Sequence, residues 1–238
     1  MTQRLSYQQE LKELHKSMIR MGSDVEEAIH NAITSLTEND IELASKVIDK
    51  DDEIDALEHQ INQDCILLIA RQQPVARDLR EITSNMKLIT DLERIADHAE
   101  DIAEHVIYMH EKSFQVTVPH DVVKLATHTQ RMIHAALDAY VESDLAKAKQ
   151  VVMMDIRINA LYNKLKKYFV RQMKLDPNTA PEMVEMLLIC KHLERVGDHA
   201  QNVAEWIVYY IEGEYASFSE IKKEVEQSDT GKKEKKNK

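Results

Sequence analysis

Glycine and proline are scarce: four of each stand in 238 residues, far below their ordinary combined share of about 12%. A turn-rich sandwich, a Rossmann unit or a Gly/Pro linker protein needs more of both, so the composition points to helix. Cysteine is equally rare. Cys65 and Cys190 lie in the apolar runs CILLIA and LLICKHLE, without the spacing of a disulfide framework, zinc site or redox pair. They read as buried thiols in a reducing compartment. No apolar run reaches 18 residues, and MTQRLSYQQELKELHK lacks the unbroken apolar stretch of a signal peptide, so a cytosolic protein is expected. Positive charge is also short. The 31 Lys and Arg face 42 Asp and Glu, for a net charge of −11, and five of the lysines crowd into the last eight residues. Phosphate binding needs concentrated Lys and Arg, so no nucleic-acid partner is expected.

What the chain does have is a repeat. LERIADHAEDIAEHVIY (92–108) aligns with LERVGDHAQNVAEWIVY (193–209) at an offset of 101, pairing Glu93 with Glu194, Asp97 with Asp198 and His98 with His199. Upstream the offset is 104, pairing Ile29 with Ile133, Ala44 with Ala148, Asp51 with Asp155, Ile54 with Ile158 and Leu57 with Leu161. Self-similarity at a fixed period is the signature of a duplicated structural unit. Turn and cap signals at TEND, RQQP, SFQVTVPH, ESD and LDPNTAP cut each copy into three long segments. The expected helices run near 7–37, 40–71, 75–112, 120–142, 144–174 and 180–212, with Asp40 an N-cap and Pro181 in a first turn.

The expected fold is therefore all-α: a tandem repeat of two three-helix bundles at 5–113 and 118–214, with successive helices antiparallel. The stretch 226–238 has no hydrophobic residue and is expected to be a disordered Lys-rich tail. At 100° per residue, Ile82, Ile89, Leu92, Ile95, Ala96, Ala99, Ile102, Ala103, Val106 and Ile107 fall on one wide face of the third helix, which reads as core. After Ile211 the apolar period fades. Met18, Met21, Met153, Met154, Met183 and Met186 are read as core filling.

On the same wheel Glu93, Asp97, Glu100, Asp101 and Glu104 form one carboxylate band at the border of the apolar face. Like charges four apart disfavour a helix by about 0.2–0.5 kcal/mol per pair, and Glu93/Asp97, Asp97/Asp101 and Glu100/Glu104 are such pairs. Three accounts are open: a hard multivalent cation on oxygen ligands, Lys or Arg from a neighbouring helix, or plain solvation. The second copy keeps Glu194 and Asp198 but has Gln201 and Asn202 where the first has Glu100 and Asp101. An amide oxygen brings no charge, so a site there is expected to be the weaker. His98 and His199 lie about 100° beyond the preceding aspartates, off the centre of the band, and are read as packing or interhelical hydrogen-bonding residues.

Signals for catalysis are thin. Glu93 precedes His98 by five, not by the three of a di-iron Glu-x-x-His, and no Gly-rich phosphate loop, Ser-His-Asp order or zinc spacing occurs. In PVARDLREI, Asp78 suits a first helical turn, while Arg77 and Arg80 are candidates for an anion or partner contact. A metal-dependent enzyme using the acidic stripe and a purely structural scaffold remain the alternatives to a binding protein.

RQQPVARDLREI together with the two LER-x-x-DHA-x-x-x-AE segments, in order and spacing over about residues 5–214, closely resembles the PhoU family of phosphate-transport regulators. In that family Glu/Asp-x-x-x-Asp motifs are associated with metal clusters. Carried over, the resemblance implies ligands at Glu93, Asp97 and Asp101 in the first half and at Glu194 and Asp198 in the second, with Asn202 a candidate ligand through its amide oxygen at the place of Asp101. The implied ions are divalent or trivalent, such as Mn, Mg, Fe or Zn. It further implies a non-enzymatic, cytoplasmic, usually dimeric adaptor. The implied partners are the ATPase subunit of a phosphate ABC transporter and a sensor histidine kinase, with the membrane reached only through them. Asn202, and His192 where the first copy has Asp91, are departures from the motif.

Overall fold

The computed structural model describes residues 2–114 and 117–225, with side chains from residue 7 onward. Its elements are α1 (Thr2–Glu38), α2 (Ile41–Gln72), α3 (Arg77–Glu111), α4 (His120–Glu142), α5 (Leu145–Leu175), a short 3-10 turn (Pro177–Thr179) and α6 (Ala180–Glu212). No strand occurs among the described residues. The expected tail at 226–238 lies outside them.

The helix starts follow from their caps. Asp40 accepts from Leu43 N–H at 3.0 Å and, one repeat on, Asp144 accepts from Lys147 N–H at 3.0 Å. Each satisfies one of the amides that a helix start leaves without an intrahelical partner. The change of offset from 104 to 101 also has a location. α5 is one residue shorter than α2, and α6 two shorter than α3.

α1, α2 and α3 pack as one bundle and α4, α5 and α6 as another; the bundles meet through equivalent helices, α3 on α6 and α1 on α4. One continuous core runs through both. Ile82, Ile89, Leu92, Ile95, Ala96, Ala99, Ile102, Ala103 and Val106 are buried as the wheel placed them, and Ile107 is partly so. Cys65 and Cys190 are buried and unpaired. Met18, Met21 and Met186 are buried, while Met154 and Met183 pack against the core from its edge.

One segment departs from expectation. Residues 218–225 are helical, and Phe218, Ile221 and Val225 pack on the core, with Ile221 fully buried. Their spacing of three and four is helical, but a three-residue stripe is too short to stand out as a period.

Candidate metal centre

α3 is pressed on one side by α2 and on another by α6, and this divides the acidic band. Glu93, Asp97 and Glu100 face α2. There they meet two carboxylates that the helical wheel of α3 could not supply, Asp51 and Asp55. Ligand-capable oxygens of Asp51, Asp55 and Asp97 all lie within 4.8 Å of one another. Glu100 hydrogen-bonds Asp51. The signal for the α2 pair was present in the sequence: Asp51 and Asp55 repeat the four-residue spacing of Glu93 and Asp97, and Asp51 pairs with Asp155 in the repeat.

The electrostatics of this pocket are unfavourable as it stands. Burial, then the charges of Glu100, Asp55 and Asp97, push the Asp51 carboxyl up to about 7. Burial and the Asp97 charge also raise Glu93, and burial and Glu104 raise Glu100. Oδ1 of Asp51 and Oδ1 of Asp55 are buried and make no hydrogen bond. A buried acceptor without a donor costs about 1–3 kcal/mol. Of the three accounts of the acidic band, the second finds no support among the described residues, where no Lys or Arg of a neighbouring helix pairs with Glu93, Asp97 or Glu100. Arg94, on α3 itself, reaches Asp97 at 2.7 Å and Glu93 at 3.4 Å. Its side chain is 55% exposed, so it neutralises the rim and leaves the inner oxygens bare.

The second repeat reproduces the arrangement with fewer charges. Asp155 is buried, with an Oδ1 that has no hydrogen-bond partner. Burial, then Asp198 and Glu194, raise its carboxyl to about 6. Asp198 is raised in turn by desolvation and by Glu194. Asn159 stands where the first repeat has Asp55 and donates to Asp155, and Lys191 pairs with Glu194. The donor set in both places is carboxylate oxygen with orphaned inner atoms, which suits a hard cation. Asp51, Asp55, Glu93, Asp97 and Glu100 would hold it in the first repeat, and Asp155, Glu194 and Asp198 in the second.

Asp101 and Asn202 lie elsewhere. Asp101 turns to the α3–α6 seam, where its Oδ2 is 3.1 Å from His98 Nδ1 and 3.0 Å from His192 Nδ1. Asn202 donates to Asp91 at 3.0 Å. His199 Nδ1 lies 2.8 Å from the same Asp91 oxygen, and His105 Nδ1 is 2.7 Å from Glu185. His199 thus makes a contact across the seam to Asp91, while His98 lies against Asp101 of its own helix and 3.3 Å from His192 of α6. Burial lowers both His98 and His192, which keeps those imidazoles neutral near pH 7. Arg77 and Arg80 are engaged within the chain. Arg77 hydrogen-bonds Tyr210, and the Arg80 guanidinium lies against Gly213, with its Nε buried and unbonded.

A duplicated three-helix bundle with a crowded carboxylate cluster between the second and third helix of each copy defines a class of tandem-repeat helical proteins built to concentrate negative charge at two equivalent places. Comparison with known proteins gives that class a family. The PhoU domain profile matches twice, over residues 18–106 and 122–207. The phosphate-specific transport system accessory protein PhoU homolog of Clostridium acetobutylicum is 37% identical over 219 residues, covering 90% of this chain and 98% of that protein. The PhoU protein of Escherichia coli is 31% identical over 205 residues, covering 86% and 85%. The crystal structure of PhoU from Pseudomonas aeruginosa superposes with a TM-score of 0.85 at 32% identity, covering 87% of this chain and all of that one. The chain belongs to the PhoU family.

Proposed function

We propose that this chain is an accessory regulator of phosphate transport that binds metal ions through its two carboxylate clusters. On this reading it is a cytoplasmic, non-enzymatic homodimer that links the ATPase subunit of a phosphate ABC transporter to a sensor histidine kinase and restrains the phosphate-starvation response. The observation that carries the reading is the match to both PhoU repeats, whose relatives are named phosphate-specific transport system accessory proteins. The orphaned carboxylate oxygens of Asp51, Asp55 and Asp155 support the metal part. Among the described residues no helix is long and apolar enough to cross a membrane, which accords with reaching the bilayer through partners. An adaptor needs only a modest difference in affinity between partner states to shift an equilibrium.

The test is genetic and biochemical together. Deleting the gene should switch on the phosphate-starvation response in phosphate-replete cells, and the purified chain should retain both the transporter ATPase and the kinase in pull-downs. An unchanged response on deletion, or retention of neither partner, overturns the adaptor reading. The metal part stands or falls separately, on elemental analysis of untagged protein.

A further inference from the structure

We propose a second kind of metal site, formed by His98 and Asp101 of α3 with His192 of α6, that takes a borderline transition ion of the zinc class and ties the two repeats together. It is separate from the carboxylate clusters in place and in chemistry. Its donors are two imidazole nitrogens and one carboxylate oxygen, a set that suits Zn, Co, Ni or Fe rather than Mg or Ca.

The geometry carries the inference. His98 Nδ1, His192 Nδ1 and Asp101 Oδ2 form a triangle with edges of 3.3, 3.1 and 3.0 Å. Ligands 2.0–2.1 Å from a tetrahedral zinc are separated by about 3.3–3.4 Å, and the same bonds at octahedral angles give about 2.9 Å. The observed edges fall between these, so the three atoms already make one face of a coordination polyhedron. An ion at zinc distances from all three would sit about 1 Å out of their plane.

The equivalent place across the seam shows what the arrangement looks like when it is only a hydrogen-bond network. There Asp91, His199 and Asn202 replace His192, His98 and Asp101. Asp91 accepts at 2.8 Å from His199 and at 3.0 Å from Asn202, so every donor has an acceptor and an amide NH2 group occupies the third corner. On the His98 side Asp101 Oδ2 is the acceptor, and both of its neighbours are imidazole nitrogens, which can ligate a metal where an amide NH2 group cannot. Two imidazole nitrogens face each other at 3.3 Å, beside a single carboxylate oxygen. A shared cation would engage all three atoms at once. Access is available through Asp101, whose side chain is 42% exposed, whereas His98 is 9% exposed and His192 16%. Because the ligands come from α3 and α6, a bound ion bridges the two bundles, and binding only to the folded chain stabilises it.

The test uses full-length protein made without a histidine tag and stripped with chelator, titrated with Co2+ alone and then with Zn2+. One equivalent of Co2+ should give visible d–d bands of a nitrogen-containing site, and Zn2+ should abolish them. Zn2+ should also raise the melting temperature. Asp101→Asn, at a half-exposed position, and His192→Ala should each lose the bands and the thermal shift. Their Zn2+ affinity should fall by more than the roughly 10–100-fold that loss of an outer partner costs. Asp51→Asn and Asp97→Asn should keep the bands, which separates this site from the carboxylate clusters. If His192→Ala does not fold, Asp101→Asn decides. Absence of such bands in the wild-type chain, or their persistence in a folded Asp101→Asn, overturns the proposal.

Discussion

Asp91 and His192 occupy equivalent positions in the two repeats, and each reaches across the α3–α6 seam to the histidine of the other copy. His199 lies 2.8 Å from Asp91, and His98 3.3 Å from His192. Two exchanges, His192 for Asp91 and Asp101 for Asn202, therefore separate a closed hydrogen-bond set from a convergent group of metal-capable atoms. The fold places both by the same approximate symmetry. The side chains at two of the three corners decide which chemistry results.

Asp91 is the acceptor for two donors from α6, and its side chain is 13% exposed. Asp91→Ala should destabilise the protein by about 1–3 kcal/mol, because the partners left behind stay desolvated. Asp91→Asn should cost less, since its amide oxygen still accepts. Urea unfolding of the two variants and the parent measures this, and equal midpoints for Asp91→Ala and the parent would contradict it.

The carboxylate clusters are unequal. The first repeat has Asp55 and Glu100 where the second has Asn159 and Gln201, and Lys191 already pairs with Glu194. Replacing Glu93 and Asp97 by Ala should therefore lower bound metal more than replacing Glu194 and Asp198. Elemental analysis of untagged protein after dialysis against Mn2+ or Mg2+ reads the difference. Equal loss in the two variants is the contrary result.

Metal-free stability should carry the mark of Asp51. Its carboxyl is held at about 7 in the folded chain, up from 3.8, so the native state holds a proton that the unfolded state has released. Stability from this group is present at low pH and is lost as pH rises through about 7. Asp51→Asn removes the ionisation. In chelator-treated protein it should melt higher than the parent at pH 8, with the gap closing towards pH 5. A gap that widens on acidification would mean that the crowding is not what limits the stripped protein.

The helices and their duplication could be read from the sequence because they depend on local signals: Asp40 and Asp144 as caps, the 3.6-residue apolar stripe of α3, and a repeat whose offset shifts only from 104 to 101 along its length. The acidic band was visible on one helix, but not its division. A wheel shows neighbours along α3 and says nothing of which helix covers each side, so Asp101 was grouped with Asp97 although α6 draws it away. Asp51 and Asp55 were missed for the same reason. Their four-residue spacing was in view, but their meeting with Asp97 is a contact between helices. His192 showed only as a departure from Asp91, since its partner lies 94 residues away.

The segment beyond α6 gives a graded test of what the chain end contributes. Ile221 is fully buried, with Phe218 and Val225 packed beside it, while 226–238 has no hydrophobic residue. Burial of apolar side chains is the main favourable term in folding, so removing 226–238 should leave the melting temperature unchanged. Ile221→Ala should cost about 2–5 kcal/mol, the range for a buried Ile reduced to a methyl group. Ending the chain at Gly213 should cost at least as much, because it also uncovers the core beneath Phe218 and exposes Glu205, whose carboxylate accepts from Tyr215 at 3.1 Å. Thermal melts of the three variants order these effects. A drop on removing 226–238 that matches the drop for Ile221→Ala would show that the polar end contributes contacts that burial does not account for.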